Sequence, residues 1–342
     1  MGSGAFDWGQ ALTQLLAKRS LSEQDSAAAM VEIMEGAATP AQIAGFVVAL
    51  RAKGESPDEV AGLVRVMRAY ARKVEVGKDV LDTCGTGGDR AGTFNVSTAA
   101  ALVCAGAGVP VAKHGNRAAS SRCGSADVLE ALGVRIDLPP EGVAACIDAA
   151  GIGFCFAPVF HPAMRHAATP RRELGVATIF NFLGPLTNPA GARRQALGVS
   201  DPRMVPIMVE TLRRLGSERV LAFVGHGGLD ELATSGPTEV TELDGGVIRR
   251  WIVDPAQLGM APPGATELAG GSPARNAEVI GRVLEGRPGP ERDIVVLNAA
   301  AGLVAAGRAA TLEEGTVLAA AAIDQGAAGR ALELLVATSN SL

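Results

Sequence analysis

The stretch Leu81-Asp82-Thr83-Cys84-Gly85-Thr86-Gly87-Gly88-Asp89 runs from apolar residues into a glycine loop, and its reading decides the fold. Glycines carry no Cβ, so the backbone N–H groups of such a loop can close around an anion. An apolar run that ends this way reads as a parallel strand whose carboxyl end faces a ligand crevice. Asn95-Val96-Ser97-Thr98 follows where a helix should begin, and Lys113-His114-Gly115-Asn116-Arg117 closes the next apolar run, Val109-Pro110-Val111-Ala112. No lysine follows the last glycine as in G-x-x-x-x-G-K-[ST], and no G-x-G-x-x-G feeds a helix, which argues against P-loop and dinucleotide folds.

Outward from this loop the texture divides. From about Phe6 to Val74 only helices are expected. Ser20-x-x-Glu23, Thr39-Pro40-x-Gln42 and Ser56-Pro57-x-Glu59 read as capping boxes, the last two with proline at the first helical position. Ile43, Phe46, Val47 and Leu50 are spaced for one buried face. From Val80 short β-rich runs alternate with alanine-rich helices. Strands are expected at Val80–Thr83, Val109–Lys113, Gly153–Phe156, Val220–Val224, Glu239–Leu243 and Ile294–Leu297. Helices are expected at Ser97–Gly106, Ser125–Ala131, Pro140–Ala149, Arg203–Leu215, Ala274–Leu284 and Leu312–Gln325. The alternation predicts an α/β fold, a small all-helical domain beside a larger α/β domain with a mostly parallel central sheet. Gly85–Asp89, His114–Arg117 and His226–Glu231 would then meet at strand carboxyl ends.

The bulk numbers agree with a two-domain globular chain. At 342 residues it exceeds the size at which one core stops growing, and 48% hydrophobic with 20% charged residues is ordinary for a soluble protein. Aromatics at 4% offer few stacking platforms, and a net charge of −5 lacks the footprint of a duplex binder, so no nucleic-acid partner is expected. The five cysteines form no C-x-x-C pair, which points to reduced thiols and against zinc. No apolar run reaches membrane-spanning length and the first residues do not read as a signal peptide, so a cytoplasmic protein without a membrane partner is expected.

Each polar cluster has an ordinary reading beside the functional one. Ser97 and Thr98 could cap a helix, or face a phosphate and its cation. Lys113-His114-Gly115-Asn116-Arg117 could be a solvated turn, yet an ammonium closing an apolar run needs a partner, which a phosphate would supply. Asp230-Glu231 could be a surface acidic pair, or carboxylates that share a Mg²⁺ with substrate phosphates. Arg171, among His161, Arg165, His166 and Arg172, could lie on an exposed basic helix or grip a carboxylate. His226 is open between a structural and a ligand role.

Taken together, the chain resembles the anthranilate phosphoribosyltransferase family, of the nucleoside phosphorylase/phosphoribosyltransferase-like fold. The likeness is carried in order by Asp82–Asp89, by Lys113–Arg117 with Ser120-Ser121 and 124–133, by Thr178–Pro189 and by Gly228–Glu231. It implies a helical domain over 1–74 that recruits about 161–192, and an α/β domain over 75–160 and 193–342. It implies a cytoplasmic homodimer that transfers 5-phosphoribosyl from phosphoribosyl pyrophosphate (PRPP) to the amine of anthranilate in tryptophan biosynthesis. PRPP contacts fall on Gly85, Thr86, Gly87, Gly88, Asp89, Thr93, Asn95, Ser97, Thr98, Lys113 and Ser125. Anthranilate contacts fall on Asn116, His114, His161 and Arg171, the last as carboxylate clamp, with Lys113, Arg171 and Asn116 expected to serve catalysis. The resemblance also implies two Mg²⁺ per subunit, one near Ser97 and one near Asp230 and Glu231. A pyrimidine nucleoside phosphorylase of the same fold and a non-catalytic nucleic-acid-binding paralogue are the rivals. The first would need phosphate and a nucleoside, the second a basic surface.

Overall fold

The computed structural model describes residues 6–118 and 122–342; Ser120 and Ser121 of the matched motif lie outside them. Four helices come first: α1 (Trp8–Leu16), α2 (Glu23–Met34), α3 (Pro40–Lys53) and α4 (Pro57–Tyr70). Thr39/Gln42 and Ser56/Glu59 form the expected capping boxes with proline in the first turn. The third does not form, because α2 is capped two residues later by Ser22, whose hydroxyl accepts from the Asp25 N–H.

The remainder runs β1 (Leu81–Gly85), α5 (Val96–Gly106), β2 (Val111–Gly115), α6 (Ser125–Ala131), α7 (Pro140–Ala150), β3 (Ile152–Phe156), α8 (Ala157–Phe160), α9 (Arg165–Leu174) and α10 (Phe180–Leu183). It continues with β4 (Arg194–Gly198), α11 (Met204–Arg214), β5 (Arg219–Val224), β6 (Thr238–Asp244), β7 (Val247–Val253), α12 (Pro273–Leu284), α13 (Pro290–Ala305), α14 (Leu312–Asp324) and α15 (Ala327–Ser341). The seven strands form one sheet in the order β3-β2-β1-β4-β5-β6-β7. Strands β1 to β5 pair in parallel and β6 and β7 add an antiparallel hairpin. The strand order reverses between β1 and β4, and crevices form at such switch points.

One core cluster joins α5, α13 and α15 to strand residues such as Leu81, Val111 and Leu221. A second joins α1–α4 to Phe180, Phe182, Leu183 and Leu186, and continues to Leu197, Met208 and Val220. The helical segment and the stretch around 180–186 therefore share one apolar core, which places that stretch over the carboxyl end of β1. Burial of that core is the main force holding the two walls of the crevice together.

One strand expectation fails. Ile294–Leu297 lies inside α13, not in a strand. This helix is buried along most of its length, so its aliphatic run shows no polar face and imitates a buried strand. Strands β4 and β7 and helix α15 were not anticipated. Strand β4, Arg-Gln-Ala-Leu-Gly, carries no β-branched residue and yet sits between β1 and β5.

Candidate active site

One cavity of about 600 Å³ opens at the carboxyl ends of β1 and β2. It is lined by Gly85–Asp89, Thr93, Asn95, Ser97, Lys113, His114, Asn116, Ser125, His161, Arg171, Asp230 and Glu231. All three strand-end clusters thus reach one crevice. Of the expected site residues only Thr98 does not line it. Successive helical residues point about 100° apart, so with Ser97 facing the cavity Thr98 turns into the core, where it is 1% exposed. His226 also stays out of the lining and sits beside Ser235.

The glycine loop is held by its own framework. The Thr86 N–H donates to the Gly198 carbonyl (3.0 Å), and the Thr86 and Ser200 hydroxyls are 3.0 Å apart. Gly87 and Gly88 have φ of 68° and 83°, a conformation that glycine adopts at no steric cost. Helix α5 begins after Asn95, but no side chain of its own caps it. Instead Asn95 spans to Cys123 and Asn276, and the Ser97 N–H donates to Glu231 Oε1 at 3.0 Å. The capping alternative for Ser97 and Thr98 is therefore not what this helix uses.

Lys113 is 2% exposed. Its Nζ donates to the Thr83 carbonyl (2.6 Å) and lies 3.5 Å from Ser97 Oγ. Burial lowers its pKa, while Asp82, Cys84, Glu231 and Asp230 oppose that shift. Beneath it, Asp82 is fully buried and accepts from the His114 N–H (3.1 Å) and from Asn188 Nδ2 (2.8 Å). Asp82 thus ties β1 and β2 to the turn that follows α10. Sequence reasoning gave Asp82 and Asn188 no individual role, although both lie in the matched stretches.

Asp230 Oδ2 accepts from the Gly87 N–H at 2.6 Å, and Asp89 Oδ2 lies 3.4 Å from the Asp230 N–H. Burial, with Asp89 close by, raises the Asp230 carboxyl to about 7; burial and Asp230 itself raise Glu231 to about 8. These are crowded carboxylates, and the nearby Lys113 donates its hydrogen bonds to Thr83 and Ser97 rather than to them. No cage of three or more His, Cys, Asp or Glu side chains occurs among the described residues. Two carboxylates without a full cage suit Mg²⁺, which keeps waters and substrate oxygens as its other ligands. The residues present fit that ion.

The opposite wall comes from α9, α10 and the turn after them, with Met164, Phe180, Asn181, Gly184, Pro185 and Thr187 in the lining. These side chains escaped individual notice, because Asn181-Phe182-Leu183-Gly184-Pro185 resembles any short apolar turn. The Arg171 guanidinium lies 5.5 Å from the Phe180 ring centroid and pairs with no carboxylate of the described residues. Burial lowers its pKa. The arginine lies half-buried on this wall, so the exposed-basic-helix reading does not describe it. Asn116 is spent in part on the Arg117 N–H, and Arg117 on Asp127 and Glu130. His114 Nδ1 donates to the Gly184 carbonyl (3.0 Å), which leaves Nε2 as an acceptor. Burial holds His114 down at about 3 and His161 at about 4, so both rings are neutral near pH 7; both Nε2 atoms are buried without a partner.

An amide cradle and carboxylates meet at the β1/β4 switch point and face Arg171, which pairs with no carboxylate of the described residues, under a helical wall; the layout suits a group-transfer enzyme with anionic substrates. Comparison with known proteins agrees. The model of the glycosyl transferase family helical bundle domain matches residues 9–71, and that of the glycosyl transferase family a/b domain matches residues 77–329. A curated anthranilate phosphoribosyltransferase of Pelotomaculum thermopropionicum is 52% identical over 333 residues, covering 97% of this chain and 96% of its own. The crystal structure of anthranilate phosphoribosyltransferase from Thermus thermophilus superposes with a TM-score of 0.90 at 46% identity, over 96% of this chain and 99% of that one. The Saccharomyces cerevisiae enzyme, in complex with PRPP and Mg, gives 0.89 at 28% identity over 98% of both chains. The chain belongs to the anthranilate phosphoribosyltransferase family.

Proposed function

We propose that this protein transfers the 5-phosphoribosyl group from PRPP to the amine of anthranilate, giving N-(5-phosphoribosyl)anthranilate and pyrophosphate in tryptophan biosynthesis. The observation that carries the reading is the pairing, in one cavity, of an anion cradle with carboxylates on one wall and, on the other, Arg171 with no counter-charge among the described residues. The family to which the chain belongs supports it.

In this reading Gly85–Asp89, Thr93, Asn95, Ser97 and Ser125 hold PRPP. As the bond from C1 of the ribose to pyrophosphate breaks, its electron pair leaves with the pyrophosphate and the sugar gains oxocarbenium character. The loop amides and Lys113 are set to stabilise the charge gathering on pyrophosphate, the kind of electrostatic contribution that usually dominates. Bound Mg²⁺ would supply Lewis-acid stabilisation of that leaving group, held by Asp230 and Glu231 and, for a second ion, near Ser97. An aryl amine is neutral at pH 7 and attacks C1 unaided, and the proton it sheds as the N–C1 bond forms passes to water or to the departing pyrophosphate. What the protein must supply is orientation, through Arg171 on the carboxylate and Asn116, His114 and His161 around the ring. Two ions per subunit, a homodimer, a cytoplasmic setting and a helical domain of 1–74 with 161–192 complete the reading.

The test is direct. Purified protein with anthranilate, PRPP and Mg²⁺ should extinguish anthranilate fluorescence, and EDTA should stop it. Fluorescence that persists under these conditions refutes the proposal.

A further inference from the structure

The segment that leads into α12 lies as a strap along Gly92–Asn95. Ala269 bridges Thr93 in antiparallel fashion, the Phe94 N–H donates to the Leu268 carbonyl (3.1 Å), and the Gly270 N–H donates to the Gly92 carbonyl (2.8 Å). The approach is close enough to demand glycine. A Cβ on Gly270 would stand 2.7 Å from the Thr93 carbonyl oxygen and 2.9 Å from Phe94 Cα. Thr93 and Asn95, which the strap backs, both line the cavity.

Asn276, near the start of α12 and 1% exposed, fastens this arrangement. Its Oδ1 accepts from the Gly271 N–H (2.7 Å), and its Nδ2 donates to Asn95 Oδ1 (2.8 Å). Asn95 Nδ2 in turn donates to the Cys123 carbonyl (3.2 Å), two residues before Ser125. An asparagine at the start of a helix ordinarily turns its side-chain oxygen onto the first-turn amides. Here Asn276 holds that oxygen, and α5 goes without a side-chain cap. With its oxygen on Asn276 and one N–H on Cys123, the Asn95 carboxamide has a set orientation, and its second N–H is left for a ligand oxygen.

We propose that Asn276 is a positioning residue for the PRPP side of the cavity, acting through Asn95. This rests on the PRPP reading above. Without Asn276 the Asn95 carboxamide can rotate onto the α5 amides, as asparagine at a helix start does, and its N–H leaves the ligand. The cost falls on PRPP, which Asn95 holds in that reading. Anthranilate is spared, because His114 and Arg171 share none of the hydrogen bonds of this chain.

A double-mutant cycle tests this on initial rates of the full chain with PRPP, anthranilate and Mg²⁺, using wild type, Asn276→Ala, Asn95→Ala and the double variant. Asn276→Ala should raise the KM for PRPP about 3- to 10-fold, the scale of one net hydrogen bond, and that for anthranilate less than about twofold. Once Asn95 is alanine, the same change should cost less than about twofold more, because its target is gone. Equal rises in both KM values, penalties that multiply in the double variant, or no rise at all overturn the inference. If Asn276→Ala does not fold, as a melting curve reports, Asn276→Leu fills a similar volume without a donor and carries the same cycle. A wild type that turns over no PRPP refutes the PRPP reading and this inference with it; turnover with multiplying penalties refutes the inference alone.

Discussion

Replacing Arg171 by alanine isolates the acceptor side of the proposed reaction. The guanidinium lies 5.5 Å from the Phe180 ring centroid, has no carboxylate partner among the described residues, and is half-buried in the cavity wall. A hydrogen bond to a charged group contributes about 1.5–3 kcal/mol. Two such bonds to a substrate carboxylate, discounted for water reaching a half-exposed site, leave about 2–3 kcal/mol in all. At about 1.4 kcal/mol per decade, Arg171→Ala should raise the KM for anthranilate about 30- to 150-fold. The KM for PRPP should move less than about threefold, because Arg171 is on the wall opposite the cradle. Initial rates of fluorescence loss over a matrix of both substrates give both constants. Aniline, which has the amine and no carboxylate, closes the cycle: wild type and variant should use it equally poorly. An equal rise in both KM values, or an Arg171→Ala penalty that persists with aniline, refutes the clamp.

Two further perturbations probe the layer beneath. Asp230 and Glu231 have raised folded pKa values, about 7 and about 8, so their contribution to stability is complete below the unfolded values and is lost as pH rises through the folded ones. His114 and His161 have lowered values and act in the opposite sense only below about pH 6.5. The melting temperature without metal should therefore fall between about pH 6.5 and about pH 8.5, and Mg²⁺ should restore it; a flat or rising profile in EDTA contradicts the account of the carboxylates. For the strut below Lys113, a double-mutant cycle of Asp82→Asn and Asn188→Ala in urea should give a coupling of about 1.5–3 kcal/mol, and a coupling below about 0.5 kcal/mol would remove the strut.

How much of this was legible in the sequence depended on whether the signal was local. Strands β1 and β2, helices α5 to α7 and the capping boxes at Thr39 and Ser56 follow from short-range pattern and cap chemistry, and their ends fall within a few residues of expectation. Strand β4 was invisible because its place is set by neighbours on both sides, not by its own composition. Strand β7 did carry a signal that went unread: Asp244-Gly245-Gly246 after β6 is hairpin chemistry, and Gly245 and Gly246 have φ of 54° and 87°. In the site, glycine and cation patterns located the cradle. That Asp230 and Glu231 rest on its amides could not be read from a list of residues, since it depends on two chain segments about 140 residues apart meeting at β1 and β4. Thr98 lies outside the lining for a simpler reason, as one turn of helix cannot aim adjacent side chains the same way.

Group transfer from PRPP to anthranilate is tested by counting both halves of the reaction in one vessel. With PRPP and Mg²⁺ in excess, coupled detection of pyrophosphate should record one pyrophosphate released for each anthranilate consumed, and almost none when anthranilate is left out. Pyrophosphate released without loss of anthranilate, or anthranilate lost without pyrophosphate, would contradict the account.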